Sequence, residues 1–227
     1  MSNDLIKIKK LSKIFKNNNT NIKVLTNVNL NLPKGKLIAL TGPSGSGKST
    51  FLHLIALLDT PTTGQIVISG KKTENLTEIE KNLIVRNNIS IIFQNNNLLS
   101  DFTAIENVAI PLIIKSNDYK SSLSKAKKIL SKVNLSHRLN HLPLDLSGGE
   151  QQRVAIARSL AADTDIILAD EPTGNLDSKT TDEVFSYFLK MKQKNKTILI
   201  ATHNRELARK ADYTLRVSNG VIKRTNE

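Results

Sequence analysis

The sequence predicts an α/β fold that carries a helical insertion, and three features support this prediction. Short runs rich in β-branched residues alternate with helical stretches along most of the chain. A glycine-rich loop, GPSGSGKST (Gly42 to Thr50), separates one of these runs from a helical stretch. Strand-like runs stop between about Gln94 and Leu160, where helical patterns continue alone. We expect residues 1–227 to form a single domain, with a helical subdomain at approximately 95–160 inserted in an α/β core.

Eight runs have the composition of strands, and several stretches have the pattern of helices. The expected strands are LIKIKKL, VLTNVNLNL, KLIALTG, QIVISG, ISIIF, DIILAD, TILIAT and YTLRV. Two capping boxes, Thr77 with Glu80 and Thr103 with Glu106, predict helix starts because each pair can satisfy two free backbone N–H groups. Further helices are expected at STFLHLIALL, YKSSLSKAKKILSKV and GGEQQRVAIARSL.

Composition narrows the class of protein. No apolar run approaches the roughly 18 residues that would span a bilayer, and the segment MSNDLIKIKK has no apolar stretch of a secretory signal. We therefore expect the chain in the cytoplasm. It has no cysteine, which excludes disulfides and thiolate metal sites and agrees with a reducing compartment. Its net charge of +13 favours solvated surface lysines first, an anionic membrane face second and nucleic acid last. Aromatic residues make up only 4%, so the stacking platforms of a single-strand binder are missing, and no nucleic-acid partner is expected.

The glycine-rich loop has the chemistry of a phosphate-binding loop. Glycines let the backbone wrap an anion, so that N–H groups and the following helix N-terminus point at phosphate oxygens. Lys48 would supply a cation to the β- and γ-phosphates, and the Ser49 hydroxyl is placed to ligate Mg²⁺. The alternative is a glycine-rich turn without a ligand, which the strand, loop and helix order disfavours.

Two carboxylates end the strand of DIILADEP. Consecutive strand residues project to opposite sides, so Asp170 and Glu171 cannot have the same role. Asp170 would hold Mg²⁺, and Glu171 would orient or deprotonate the water that attacks the γ-phosphate. An exposed acidic turn is the ordinary alternative, which the presence of a phosphate loop disfavours.

The stretch LSGGEQQR, Leu146 to Arg153, resembles the signature sequence of ABC ATPases. Gln94 in IIFQN matches the Q-loop of that family, NLD at Asn175 to Asp177 matches the D-loop, and His203 in ATHN matches the switch histidine. The resemblance covers essentially the whole chain. It implies an ABC-type fold: a P-loop NTPase core of the RecA-like class, an antiparallel β subdomain and an all-helical insertion.

The resemblance also implies a set of site residues with ATP and Mg²⁺ as ligands. Catalytic roles fall to Lys48, Gln94, Glu171 and His203, and Mg²⁺ contacts to Ser49, Gln94 and Asp170. Nucleotide-binding residues would be Phe15, Gly42, Pro43, Ser44, Gly45, Ser46, Gly47, Lys48, Ser49, Thr50, Ser147, Gly148, Gly149 and Asp177. Phe15 matches the aromatic that stacks on adenine, although a single aromatic more often packs in a core.

In the ABC family two cassettes pair head to tail, so the turn of Ser147, Gly148 and Gly149 would bind the ATP held by the phosphate loop of the partner. A homodimer of ATPase subunits is therefore expected. The alternative for Ser147 is an ordinary helix cap, which explains the serine but not the two glycines.

Two classes of function fit an ABC ATPase without a membrane span. The first is the motor of a transporter, attached to separate integral membrane subunits. The second is a soluble ATPase that acts on nucleic acid or ribosomes. Such proteins carry long coiled coils or two ATPase domains, whereas Ser147 follows Gln94 by only 53 positions here and each motif occurs once. The transporter class is favoured.

Within that class, LADEPTGNLD resembles the subfamily of lipoprotein-releasing (LolD), export (MacB) and cell-division (FtsE) ATPases. The segments LLSDFTAIENVAIPLII and HRLNHLPLDLSGGE are similar to the lipoprotein-releasing members. NVAIPLII also resembles the cell-division ATPase and LLS the export ATPase, so these two functions stay open as alternatives. The resemblance implies LolC/LolE-like membrane subunits, seated near Gln94 to Asn107, and a peripheral place on the cytoplasmic face of the inner membrane. Three asparagines in QNNNLLSDF and Ala56 depart from the subfamily pattern.

His137 and His141 have the i, i+4 spacing of a helical metal pair. With four histidines in the chain and no cysteine to complete a shell, metal binding is disfavoured there.

Overall fold

The computed structural model describes residues 4–17, 20–174 and 176–225. Its strands are β1 (Asp4–Asn17), β2 (Thr20–Pro33), β3 (Leu37–Thr41), β4 (Thr63–Ile68), β5 (Lys71–Lys72), β6 (Ile89–Ile92), β7 (Ile166–Asp170), β8 (Thr197–Ala201), β9 (Tyr213–Ser218) and β10 (Val221–Thr225). Its helices are α1 (Lys48–Ile55), α2 (Glu78–Asn88), α3 (Ala104–Ser116), α4 (Tyr119–Lys132), α5 (Gly148–Ala162), α6 (Ser178–Gln193) and α7 (Arg205–Arg209). A short 3-10 helix, Pro143–Asp145, precedes α5.

The strands form two sheets. Six of them follow the order β10-β9-β3-β8-β7-β6, in which all neighbours are parallel except the hairpin of β9 and β10. Four follow the order β2-β1-β4-β5, and each pair is antiparallel. The backbone N–H of Thr26 donates to the carbonyl of Gly220 at 2.8 Å, which joins the two sheets.

The register of the parallel strands aligns their carboxyl ends. Leu40 of β3 lies opposite Ala201 of β8, and Ala201 lies opposite Asp170 of β7. The loops that follow these strands therefore begin side by side at one edge of the sheet, where ligands bind in α/β folds.

Apolar side chains cover both faces of the six-stranded sheet. One cluster packs α1 between this sheet and the antiparallel sheet, and Phe51 at its centre is fully buried. A second cluster packs α3, α4, α5 and α6 on the opposite face around the buried Phe188. Because these strands are covered on both sides, their sequences are nearly continuous runs of apolar residues, as in β7 and β8.

The predicted α/β fold is confirmed, and each of the eight expected strands is present. Both capping boxes are also confirmed, since the Thr77 and Thr103 hydroxyls accept from the N–H groups of Glu80 and Glu106. Strands β5 and β10 were not predicted, and α5 continues to Ala162, past the expected end. No helix within the described residues is both long and apolar enough to cross a bilayer.

Candidate functional site

The phosphate loop joins the end of β3 to the start of α1. Gly47 directly precedes the helix with φ of 101°, in the left-handed region that glycine tolerates. A Cβ atom at this position would lie 2.7 Å from Cγ1 of Val24, so β2 packs against the loop. The close approach of this strand explains why a residue with a side chain does not fit at Gly47.

Lys48 lies across the phosphate loop. Its Nζ atom donates to the carbonyl oxygens of Gly42 at 3.0 Å and Pro43 at 3.2 Å, and only 9% of the residue is exposed. The hydroxyl of Ser46 is buried inside the loop without a partner among the described residues. The loop therefore holds a cation and one unpaired hydroxyl, and the cation suits an anion.

Glu171 and His203 form a contact beyond the ends of β7 and β8. Glu171 has φ of 44°, a conformation that is uncommon for a residue with a side chain, and its N–H donates to the carbonyl of Ala201 at 2.9 Å. Its Oε2 lies 2.9 Å from His203 Nδ1 and accepts from the His203 backbone N–H at 3.3 Å. Because a carboxylate only accepts, Nδ1 carries the proton in this contact. The carboxylate is thus oriented by the histidine.

Asp170 ends β7 and is buried, with 9% exposed. Its Oδ1 atom has no hydrogen-bond partner among the described residues. An unpaired buried carboxylate oxygen is costly, and a cation or its water shell would satisfy it.

One cleft of about 410 Å³ is lined by β2, by the phosphate loop and by the loops that follow β6, β7 and β8. Its lining residues are Val24, Ser44, Gly45, Gly47, Lys48, Ser49, Thr50, Gln94, Glu171 and His203. Gln94 reaches it from the loop after β6. All four residues with expected catalytic roles therefore face one space. Val24 was missed by sequence analysis, because nothing in a strand pattern indicates which strand packs against a distant loop.

The signature turn lies at the start of α5, outside this cleft. Ser147 caps α5: its hydroxyl accepts from the Glu150 N–H at 3.3 Å, and its own N–H donates to Glu150 Oε2 at 2.8 Å. The capping role that was considered for Ser147 is therefore present. Gly148 lines a neighbouring cavity of about 270 Å³ that also contacts Gln94 and Glu171. The phosphate loop and the signature turn of one chain thus open on different spaces.

A network of side chains holds the signature turn. Arg138 Nε donates to Glu150 Oε1 at 2.8 Å, and its Nη1 lies 3.1 Å from His141 Nε2. Burial raises the pKa of Glu150, but the hydrogen bonds from Ser147 and Arg138 outweigh this effect, so the pKa lies below its ordinary value of 4.5. His137 and His141 flank this ion pair. Arg138 and Glu150 were missed, although Ser147 and Glu150 have the spacing of a capping box.

The remaining expected site residues lie apart from the cleft. Phe15 is on β1 of the antiparallel sheet, 43% exposed, with Lys13 Nζ 4.8 Å from its ring centre. Asp177 caps α6, and its two carboxylate oxygens accept from the N–H and hydroxyl of Thr180. These hydrogen bonds lower the pKa of Asp177. Asn175 lies outside the described residues.

The fold and the cleft are those of an ATP-binding cassette, in which a phosphate loop, paired carboxyl groups and a signature helix share one α/β core. Residues 25–174 match the family "ABC transporter". The chain belongs to the ABC transporter family and is an ATPase.

Named relatives match the chain over nearly its full length. The lipoprotein-releasing system ATP-binding protein LolD of Rickettsia typhi is 50% identical, and the match covers 98% of this chain and 99% of the relative. The protein of the same name from Wigglesworthia glossinidia brevipalpis is 42% identical, with 98% and 97% covered. An uncharacterized ABC transporter ATP-binding protein of Methanocaldococcus jannaschii is also 42% identical, with 96% and 97% covered.

Solved structures confirm the ABC-type fold. The bacterial ABC transporter cassette MJ0796, solved as a dimer, superposes with a TM-score of 0.91 at 41% identity, and the match covers 96% of this chain and 97% of that one. A dimer of the same cassette in a post-hydrolysis state, bound to ADP and phosphate, gives a TM-score of 0.91 at 40% identity.

Proposed function

We propose that the chain is the ATP-hydrolysing subunit of an ABC transporter that releases lipoproteins from the inner membrane. The observation that carries this proposal is the match, along nearly the whole chain, to proteins named for the lipoprotein-releasing system. The chain would act as a homodimer on the cytoplasmic face of the membrane. Integral subunits of the LolC/LolE type would hold it there.

In this proposal the cleft binds ATP by its phosphates. Lys48 would exchange its carbonyl contacts for β- and γ-phosphate oxygens, and the backbone N–H groups of the loop would complete the cradle. The residues present fit Mg²⁺: Ser49 and Gln94 offer oxygen ligands in the cleft, and Asp170 Oδ1 is a buried acceptor without a partner. When bound, Mg²⁺ would neutralise charge on the phosphates.

Glu171 would orient and deprotonate the attacking water, because it is a carboxylate held at the wall of the cleft. His203 would fix the direction of that carboxylate through Nδ1, and its largely exposed ring would face the γ-phosphate through Nε2.

The domain limits, with residues 1–227 as one unit and a helical subdomain at about 95–160, belong to the same proposal.

The signature turn would complete the site of the partner copy. Ser147, Gly148 and Gly149 present a hydroxyl and two bare amides at the start of α5, where the helix dipole favours an anion. This turn does not line the cleft that holds Lys48, which supports the proposal that a second copy supplies the contact to the γ-phosphate. Phe15 would act at the adenine, and Asp177 would contribute to nucleotide binding.

The membrane subunits would seat in an apolar groove of about 700 Å³ between α2 and α3. Ile79 and Ile114 line the groove although they are 73% and 57% exposed, which is unusual for large apolar side chains. Arg86, Lys115 and Arg158 also line it. This combination suits an amphipathic helix with an apolar face and carboxylates beside it. Within the expected seat, Gln94 to Asn107, only Asn97 lines the groove, so the seat extends to α2 and to the end of α3.

The test is a pull-down from detergent-solubilised membranes with the Glu171→Gln chain and ATP, followed by identification of the retained protein. We expect a pair of membrane subunits with large periplasmic domains. Ile79→Glu combined with Ile114→Glu should abolish the capture, whereas Leu58→Glu, at an exposed leucine outside the groove, should not. A single division-type or export-type membrane protein would overturn lipoprotein release. Retained nucleic acid or ribosomes without membrane protein would overturn the transporter assignment.

A further inference from the structure

Two consecutive residues of α5 hold the chain on both sides of Gln94. Arg158 Nη1 and Nη2 donate to the carbonyl oxygens of Asn97 at 2.8 Å and Asn96 at 2.7 Å. The hydroxyl of Ser159 lies 2.7 Å from that of Ser90, which is in β6, four residues before Gln94. The loop that carries Gln94 is therefore attached to α5 before and after the glutamine.

The loop depends on Arg158 for its shape. Asn96 and Asn97 both have left-handed backbone conformations, with φ of 58° and 44°, which cost free energy in residues other than glycine. Their carbonyl groups turn toward α5, where the planar guanidinium provides two donors at a fixed separation. No other side chain of the described residues donates to these two carbonyls. Without the guanidinium, the carbonyls would have to find water or rearrange.

The charge of Arg158 has no carboxylate partner within the described residues. Burial of the guanidinium lowers its pKa, so its position has a cost that no ion pair offsets. Arg158 and Asn97 also line the apolar groove described above. The residue thus lies between that groove and the loop that delivers Gln94 to the phosphate cleft.

We propose that Arg158 is a positioning residue, which holds the Asn96 and Asn97 carbonyls so that Gln94 stays directed into the cleft that also holds Lys48. This inference rests on the proposed function, because it takes Gln94 to serve Mg²⁺-bound ATP.

The test compares nucleotide binding with and without the metal. Arg158→Lys keeps the positive charge but loses the two-donor fork. A fluorescent ATP analogue is titrated into the full chain in Mg²⁺ and, separately, in EDTA. We expect Arg158→Lys to reduce affinity about tenfold in Mg²⁺, since groups behind a metal ligand typically have effects of about 10- to 100-fold. Affinity in EDTA should not change.

Two further variants make the outcome specific. Arg209→Lys is the matched control, since Arg209 is an exposed arginine of α7 that forms no hydrogen bond to Asn96 or Asn97 within the described residues. It should bind like the wild type in both conditions. Gln94→Ala is the reference, and should show the same Mg²⁺-specific loss as Arg158→Lys.

Three results would overturn the inference. If Arg158→Lys binds normally in Mg²⁺, the guanidinium does not position Gln94. An equal loss in Mg²⁺ and EDTA would mean a general loosening of the fold. If Gln94→Ala shows no Mg²⁺-specific loss, both this inference and the role proposed for Gln94 fail. If Gln94→Ala shows that loss and Arg158→Lys does not, only the inference about Arg158 fails and the proposed function stands.

Discussion

The carboxylate of Glu171 and the imidazole of His203 lie 2.9 Å apart, although 31 residues separate them in the chain. Glu171 directly follows β7, and His203 lies two residues after β8. These two strands are parallel neighbours in the sheet. Parallel strands end at the same edge, so the register alone brings the two side chains together. The left-handed backbone of Glu171 then turns its side chain into the cleft.

Glu171→Gln should stop ATP turnover and leave ATP binding intact. The amide keeps the shape of the side chain but cannot accept a proton, and a general base contributes about 10²- to 10⁴-fold to rate. ATP should then hold the chain as a dimer, because hydrolysis no longer removes the γ-phosphate. Phosphate release and size-exclusion chromatography with ATP measure the two effects. Brisk hydrolysis by this variant would show that another group is the base.

Lys48→Ala should weaken nucleotide binding itself. The Lys48 ammonium group donates to the Gly42 and Pro43 carbonyls and would donate to phosphate oxygens in their place. Hydrogen bonds to charged groups contribute about 1.5–3 kcal/mol. Calorimetric titration with a non-hydrolysable ATP analogue should give an affinity at least about tenfold lower. Lys36→Ala, at an exposed lysine before β3, is the control and should bind normally. Unchanged affinity of the Lys48 variant would remove this residue from the site.

Sequence patterns located the phosphate loop and both carboxylates, because each follows a recognisable strand, whereas Gln94 was indicated only by the family resemblance. The patterns did not reveal the contacts of Arg138 and Arg158. Those side chains reach residues 12 to 62 positions away, and no periodicity encodes which carbonyl or carboxylate a long side chain will meet. Strand β10 was missed for a related reason: VIKRT is largely polar and buries only Ile222. Its pairing with β9 comes from a hairpin, not from an apolar face.

The ion pair of Glu150 with Arg138 should make stability depend on pH in the acid range. The pKa of Glu150 is lower in the folded chain than its ordinary value of 4.5. A depressed carboxyl pKa stabilises the fold above the unfolded value, and this contribution is lost as pH falls through the folded value. Glu150→Gln should therefore lower the free energy of unfolding by about 1–3 kcal/mol at neutral pH. The difference from the wild type should shrink below about pH 4.5.

Urea unfolding at several pH values measures this difference. Arg138→Ala provides the second half of a double-mutant cycle, and its cost should be smaller in the Glu150→Gln background than in the wild type. If the two costs add at neutral pH, the pair does not interact, and the hydrogen bonds of Ser147 alone account for the capping of α5.

Ser147→Arg should bind ATP normally in each chain but block pairing and hydrolysis. The serine caps α5 outside the cleft of its own chain, so a long cation there meets only the nucleotide of a partner. Equilibrium binding of the ATP analogue should match the wild type, and ATPase activity should be lost. Ser124→Arg, at an exposed serine of α4, should change neither. Full activity of the Ser147 variant would contradict a signature turn that acts on the partner.

Mixing two inactive variants tests the same arrangement more directly. In a dimer of Lys48→Ala with Ser147→Arg, one site contains both defects and the other contains neither. The arginine would face a site without nucleotide, so it would not obstruct pairing. Half of randomly formed dimers are mixed and each has one complete site, so the mixture should recover up to roughly a quarter of wild-type activity. If each chain completed its own site, every site would keep one defect and the mixture would stay as inactive as its components.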